Sequence, residues 1–563
     1  MLPVLRTLQS RVDRSFAGVP LRPATEWLLF LLSVGMIAAI VWGQVRVTGP
    51  VVLLALTLAA RALGTIDRAS AMRRIAVLAL TVTAAYLFRN YAPSLVAHRV
   101  GRLSLVFGVG LTALLSMPVE LLLRIRELNE RLRQEPRSRT ATLVAIFGVA
   151  LPSATLYSTT THHVWTGDTM PLVPTVVRMA THGERELSAF LPGAGLYRWE
   201  VCGPGRPYFT REVPGRPGIY STYPAGMEAF VWPTVLVLHA CGLELMNDDL
   251  HLQIEKWTAS LLAGASLALF YLVALHFGSP AGALAITWLL ATGSVFASTL
   301  GMLVWQQGGI VFWMLLALAV EFRTDGKPGW KGLAIQALAC GWILACRPSA
   351  VTFLVPFGLW VLARDRRRGI LLPLLALVAY LPWAAIYWSI YRNPFGPSMG
   401  FLGENWTIGE HLLGVLFSPG RGLFIFQPVL LLAFLYPFVK SVESPRAPAG
   451  WIACLFGVVV LHLLLIGSWP IWWGGFCYGS RLVAEVVPLL ALFAVRPAGR
   501  LIVRPYGWIP LAIVAAIGLA IHVPCLYHDA WLWNAYPVSA DAHPERMWDW
   551  RHPPFLYGLV PNP

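Results

Sequence analysis

An acidic residue, Asp168, follows the apolar run 141–158 in the stretch Thr161-His162-His163-Val164-Trp165-Thr166-Gly167-Asp168-Thr169. A carboxylate just beyond a helix end, with a long loop after it to cover it, can take a proton from an attacking hydroxyl. The same position also suits a helix cap, with a short helix starting near Thr169. Three arginines stand farther along among glycines and aromatics. They are Arg347 in Cys346-Arg347-Pro348-Ser349, Arg421 in Ser418-Pro419-Gly420-Arg421-Gly422, and Arg481 at the end of Trp472-Trp473-Gly474-Gly475-Phe476-Cys477-Tyr478-Gly479-Ser480-Arg481. Arginine at membrane depth is costly and faces a polar cavity or a partner. Its forked donors suit a phosphate. The competing assignment is pairing within the chain, for example Arg481 with Glu485 one helical turn on.

Metal chemistry has little support. His162 and His163 are adjacent and rarely aim at one ion, and no His or Cys partner follows at ligand spacing. Asp248 and Asp249 are weak candidates for a divalent cation held through oxygen, and a solvated turn is the commoner outcome for such a pair. No cofactor is expected. Trp469, Trp472, Trp473 and Tyr478 suit an interfacial belt, or a surface that stacks on sugar or lipid.

The elements that must position these groups follow from composition. The chain has 563 residues, 57% apolar and 13% charged, with a mean hydropathy of +0.63. A soluble domain is about 45–50% apolar and about 25% charged, so a water-soluble enzyme and a disordered chain are both excluded. Seven cysteines are too sparse for a disulfide scaffold. The net charge of +15 fits basic cytoplasmic loops and anionic headgroups. No aromatic-plus-basic stripe points to nucleic acid.

A crossing helix needs roughly 20 mainly apolar residues. Such runs lie at 26–44, 49–64, 74–90, 104–123, 141–158, 256–277, 281–299, 305–322, 332–347, 349–363, 369–390, 421–438, 450–467, 482–496 and 506–523. The expected fold is therefore an all-α polytopic membrane protein, a bundle of about fifteen transmembrane helices. Basic loops at the N-terminus, 124–139, 323–331, 364–368, 440–446 and 496–504 are assigned to the cytoplasm. The long segments 159–255, 391–420, 468–481 and 524–563 then face outward, as does the C-terminus. The semi-apolar stretch 225–246 reads as an interfacial helix, because a crossing there would invert every later loop. Residues 1–139 form an N-terminal module of about four transmembrane helices, 140–524 the core, and 525–563 an outer tail. Cys202, Cys477 and Cys525 are placed on the oxidising side, with no pairing specified.

The order of motifs resembles bacterial GT-C-fold glycosyltransferases. Gly167-Asp168-Thr169 is followed by Tyr220-Ser221-Thr222-Tyr223-Pro224-Ala225-Gly226, by Glu255-Lys256-Trp257, and by Trp305-Gln306-Gln307-Gly308. Then come Cys346-Arg347-Pro348, SPGRGLF at 418–424 and WWGGFCYGSRL at 472–482. The chain is similar over roughly residues 140–524 to rhizobial lipopolysaccharide galacturonosyltransferases. More distantly it resembles protein O-mannosyltransferases and lipid A aminoarabinose transferases. The resemblance implies a GT-C-like core with a large first extracytoplasmic loop. It implies transfer, usually with inversion, from a polyprenyl-phosphate sugar to a lipid, glycan or protein hydroxyl outside the cytoplasm of a bacterial inner membrane.

On that resemblance Asp168 is the base, and Arg347, Arg421 and Arg481 meet the donor phosphate. Tyr223, Gln306, Gln307, Trp472, Trp473, Tyr478 and Glu485 line the pocket, and no bound metal is expected. The chain departs from the family in the outer loop 299–308, which offers Trp305, Gln306 and Gln307 and no carboxylate. The alternatives are a transporter or flippase for a lipid-linked saccharide, or a non-catalytic assembly protein. A transporter should show repeats and broken or charged helices at the midplane. No repeat is visible, and the polar groups crowd at one membrane face.

Overall fold

The computed structural model describes residues 128–160, 168–190, 209–397, 408–439, 449–504, 506–527 and 530–557. The expected spans before residue 128, His162, His163, Gly167, Cys202 and the loop 440–446 lie outside the described residues. The chain divides into two compact units, Met1–Arg131 and Leu132–Pro563. The second holds every candidate site residue, and the tail from 530 onward is part of it.

This unit is a helical bundle. Helix α1 spans Arg139–Ser158 and contains a π turn at Ile146–Ala150. The segment that follows carries α2 (Leu172–His182), an antiparallel pair β1 (Thr210–Glu212) and β2 (Ile219–Ser221), and α3 (Glu228–Ala240). Next come α4 (Asp248–Ala274), α5 (Pro280–Gly293), α6 (Gln306–Arg323) and α7 (Trp330–Cys346). The chain continues through α8 (Val351–Arg364), α9 (Arg366–Tyr391) and the short α10 (Ile408–Phe417). It ends with α11 (Ala449–Gly467), α12 (Val487–Ile502) and α13 (Trp508–Tyr527).

Five of these helices are long and apolar enough to cross a membrane, at 139–158, 249–274, 366–391, 450–467 and 508–526. Shorter apolar helices, among them α5, α7 and α8, accompany them. The protein is thus an α-helical membrane protein. Helix α3 has 13 residues, which at 1.5 Å per residue fall short of a crossing.

Side chains set the helix starts. Ser138 accepts from the Ala141 N–H at 3.3 Å, and Asn247 opens α4 by accepting from Leu250 at 3.1 Å. Ser279 precedes Pro280 and accepts from Gly282 at 3.2 Å, while Asp365 caps α9 through Arg368 at 3.0 Å. Each leaves one fewer orphan amide at a helix end. The apolar run at 421–438 does not become one helix. It gives one turn at Leu423–Phe426 and a 3-10 stretch at Pro428–Phe438. Pro428 has no N–H to continue the ladder. The buried Gln427 side chain there bonds the Val295 amide at 3.1 Å and the Ser480 hydroxyl at 3.0 Å.

Alternating helix directions give the bundle two polar ends. At one, Arg323 bonds the Arg137 carbonyl and the Thr142 hydroxyl, both at 3.0 Å. Arg137 pairs with Asp325. Nearby, Arg368 pairs with the fully buried Glu321, which also accepts from Gln336 at 2.8 Å. Basic loops 323–331 and 364–368 therefore share this end. The opposite end collects the start of α4, the start of α6, the end of α7 and the end of α11.

Small residues let the helices approach closely, a packing mode suited to a bilayer, where the drive for apolar burial is weak. A Cβ on Gly341 of α7 would lie 2.5 Å from the Ala376 carbonyl oxygen of α9. Gly341→Leu should therefore lower stability by about 1–3 kcal/mol through overpacking. Detergent-solubilised protein should show this as a lower thermal midpoint. An unchanged midpoint would mean that α7 and α9 do not pack this way.

Candidate functional site

The second polar end is built around Arg481. Asp168 lies in the turn before α2, and that turn is held down by Met170, which packs against Leu187, Phe190 and Ile219. Helix α2 begins at Leu172 with Pro171 at its cap position and no side-chain cap bond. Asp168 stands three residues ahead of that cap position. Its carboxylate receives Nη1 of Arg481 in an ion pair. The pairing of Arg481 with Glu485 weighed from the sequence is replaced by this contact across 313 residues of chain.

Two further contacts hold Arg481. Nη2 donates to the Gly474 carbonyl at 2.6 Å. The guanidinium lies 4.1 Å from the ring centroid of Trp305, a cation–π contact. Nε is buried with no hydrogen-bond partner. Burial works against its charge, but the carboxylate of Asp168 outweighs that and the guanidinium is held above its usual range.

Trp305 is itself fixed by the residue before it. The Val304 carbonyl accepts from the Tyr223 hydroxyl at 2.9 Å. The Val304 N–H donates to the carboxylate of Glu255 at 3.3 Å. Glu255 also accepts from the hydroxyl of Thr169, the neighbour of Asp168. Burial, with the carboxylates of Asp168 and Glu255 nearby, holds the Tyr223 phenol well above its usual range; Arg481 opposes this. Lys256, one residue on, donates to the Thr160 carbonyl at 2.8 Å and hydroxyl at 2.6 Å. It ties the end of α1 to α4.

Arg347, at the end of α7, is buried within electrostatic reach of Arg481 and Tyr223. Its partner is Glu485 at 3.5 Å. The other oxygen of Glu485 is 3.5 Å from Nδ1 of His462. His462 Nε2 sits 3.0 Å from the Leu482 carbonyl, and Nδ1 is 3.1 Å from Thr352. Trp469 lies 6.0 Å from the Arg347 guanidinium.

The structure thus brings together Asp168, Tyr223, Arg347, Arg481 and Glu485. Gln306 meets Tyr223 through its backbone. Gln307 is buried in the first turn of α6, with its Oε1 unpartnered. The other expected residues sit elsewhere. Arg421 donates Nε to Trp473 O at 2.9 Å and Nη1 to Gly420 O at 2.8 Å. Its Nη2 serves Gly475 O at 3.3 Å and the Asn534 side chain. Trp472 packs against Gly414 of α10, where a Cβ would come within 2.5 Å of its ring. The Trp473 indole donates to Asp541 in the tail at 2.7 Å.

Tyr478 is a packing residue. It sits among Phe426, Ile521, Cys525 and Ala530, with its hydroxyl on the Ile521 carbonyl. Asp248 and Asp249 are the first two residues of α4, and the carboxylate of Asp249 stands at the positive end of the helix dipole. Among the described residues no three His, Cys, Asp or Glu side chains converge as metal ligands. The described cysteines, Cys477 and Cys525 included, are free.

Glu255 and His462 are the members that sequence reasoning did not single out as site residues. His462 is a titratable side chain inside the apolar run 450–467, which is itself a functional signal, whereas Glu255 sits among polar neighbours just before an apolar run and gives no such signal. Neither a family model nor a curated protein matches the chain.

The Asp168–Arg481 pair is mostly withdrawn from solvent, with side-chain exposures of 21% and 9%. Removing either partner alone strands the other. A double-mutant cycle of Asp168→Ala and Arg481→Ala in detergent should therefore give a coupling energy of about 1–3 kcal/mol. Additive losses would mean that the two side chains do not interact.

Proposed function

We propose that the protein is a membrane glycosyltransferase that moves a sugar from a polyprenyl-phosphate donor to an extracytoplasmic acceptor hydroxyl. The observation that supports this reading most is the convergence, at one end of the bundle, of the Asp168 carboxylate with the guanidinium groups of Arg481 and Arg347. Inverting substitution at an anomeric carbon needs a base for the incoming hydroxyl and a stabilised leaving group. Asp168 takes the acceptor proton as the acceptor oxygen attacks the anomeric carbon. The bond from that carbon to the phosphate oxygen breaks, and polyprenyl phosphate leaves with the electron pair. Arg481 and Arg347 face the charge that develops on it.

Asp168 and the incoming phosphate compete for the same guanidinium. In the resting pair Asp168 is oriented but engaged; donor phosphate at Arg481 loosens it for the acceptor. Glu255 supplies a carboxylate beside Val304, within the outer loop that has no acid of its own, and Tyr223 supplies a phenol. The resemblance places this chemistry on the outer face of a bacterial inner membrane, with the N-terminus cytoplasmic and the C-terminus outside. The basic loops gathered at the opposite end support that orientation.

Purified protein given radiolabelled polyprenyl-phosphate sugars and envelope acceptors should form glycoside and release polyprenyl phosphate. Asp168→Asn should cut this at least about 10²-fold, the scale of general-base catalysis, with normal expression. Full activity in that variant would remove Asp168 as the base. Translocation of the labelled lipid with no glycoside formed would favour the flippase alternative.

A further inference from the structure

Arg421 does not face Arg481 directly, yet the two arginines hold one turn between them. Three successive carbonyls are shared out. Trp473 O and Gly475 O accept from Arg421 at 2.9 and 3.3 Å, and Gly474 O accepts from Arg481 at 2.6 Å. Gly474 and Gly475 both have positive φ, 79° and 66°, a conformation that side chains with a Cβ rarely adopt. The turn is thus shaped so that the middle carbonyl goes to one arginine and its neighbours to the other.

Arg421 is aimed from the C-terminal tail. Asn534 is buried, and its Oδ1 accepts from Arg421 Nη2. Its Nδ2 donates to Cys477 O at 2.9 Å and to Trp531 O at 2.6 Å. Asn534 therefore grips the Trp472–Arg481 loop twice, once through Arg421 and once at Cys477. The tail is attached to the core at other points. The Gly420 amide donates to Met547 O at 3.1 Å, and the Trp473 indole to Asp541 at 2.7 Å. Trp533 lies buried, 5.5 Å from the guanidinium of Arg421 and 4.5 Å from that of Arg546, with its indole N–H on His552 O at 2.6 Å.

We infer that Asn534 is a positioning residue: through Arg421 it fixes the Trp473-Gly474-Gly475 turn, and so sets where Arg481 stands relative to Asp168. The tail 530–557 is then part of the site's construction, and Arg421 acts through the turn instead of touching the donor. The consequence for donor binding rests on the transferase reading; the mechanical claim does not.

The test uses the full chain in nanodiscs, with two readouts on Asn534→Ala and Asn534→Asp. The first is hydrogen exchange of the 473–481 amides. The second is binding of decaprenyl phosphate. Loss of a charge-assisted hydrogen bond at a buried arginine should speed exchange across 473–481 by about tenfold or more in Asn534→Ala, with α4 and α6 unchanged. Decaprenyl phosphate binding should weaken by a similar factor. Asn534→Asp keeps the acceptor for Arg421 but loses the donor to the Cys477 and Trp531 carbonyls, so it should slow exchange at 473–475 back toward the wild type and leave exchange around Cys477 fast.

Wild-type exchange rates across 473–481 in Asn534→Ala would overturn the inference whatever the binding result. Faster exchange in that segment with no decaprenyl phosphate bound even by the wild type would uphold the positioning role and count against the transferase reading. If the alanine variant is not recovered, Asn534→Gln, which displaces the amide by one methylene, is read in the same way.

Discussion

A guanidinium buried at the end of an apolar helical bundle must be compensated, and the rest of this structure depends on how Arg481 is compensated. Water is largely excluded there, so the charge is tolerated only with a counter-charge and fixed dipoles around it. Asp168 supplies the counter-charge, Gly474 a carbonyl dipole and Trp305 a ring face. One N–H edge stays bare. A fully satisfied arginine would be structural cement, as Arg421 nearly is. Arg481 is held firmly and still has donor capacity left, which is the condition of an anion-binding group.

Each of these contacts requires two distant parts of the chain to meet. Asp168 arrives on the turn after α1, Trp305 at the start of α6, Arg347 at the end of α7, and Arg481 on the loop between α11 and α12. All four lie at the same end of the bundle, Trp305 at a helix start, Arg347 at a helix end and the other two in connections, so an up-and-down arrangement delivers them together without any long-range strand pairing. The finer placement comes from backbone groups. The Val304 peptide is held on one side by Tyr223 and on the other by Glu255, which sets Trp305 under Arg481. The left-handed glycines at 474 and 475 let one turn serve two arginines.

Much of this was legible in the sequence. Hydropathy gave the helical membrane class, and the clustering of basic residues in alternate loops matched one shared end of the bundle at 323–331 and 364–368. Asp168, Arg347 and Arg481 stood out because charge beside apolar runs needs a reason. Other parts were hidden. Local spacing offered Glu485 as a partner for Arg481, but the carboxylate that reaches it comes from 313 residues away, and no periodicity encodes that. Arg421 has the same Gly-rich setting as Arg481, and only the position of Asn534 in the folded tail separates an arginine that braces from one with a free edge. Tyr478 reads as a surface aromatic until Phe426 and Ile521 close around it. The run at 421–438 is apolar enough for a helix, but Pro428 interrupts its backbone ladder.

The most direct test is a structure of the protein in nanodiscs with decaprenyl phosphate bound. The account predicts phosphate density against the guanidinium of Arg481, with Arg347 beside it and the Asp168 carboxylate facing the same space. Phosphate bound at the other polar end, near Arg368, or a structure in which Asp168 and Arg481 lie apart on different faces, would contradict it.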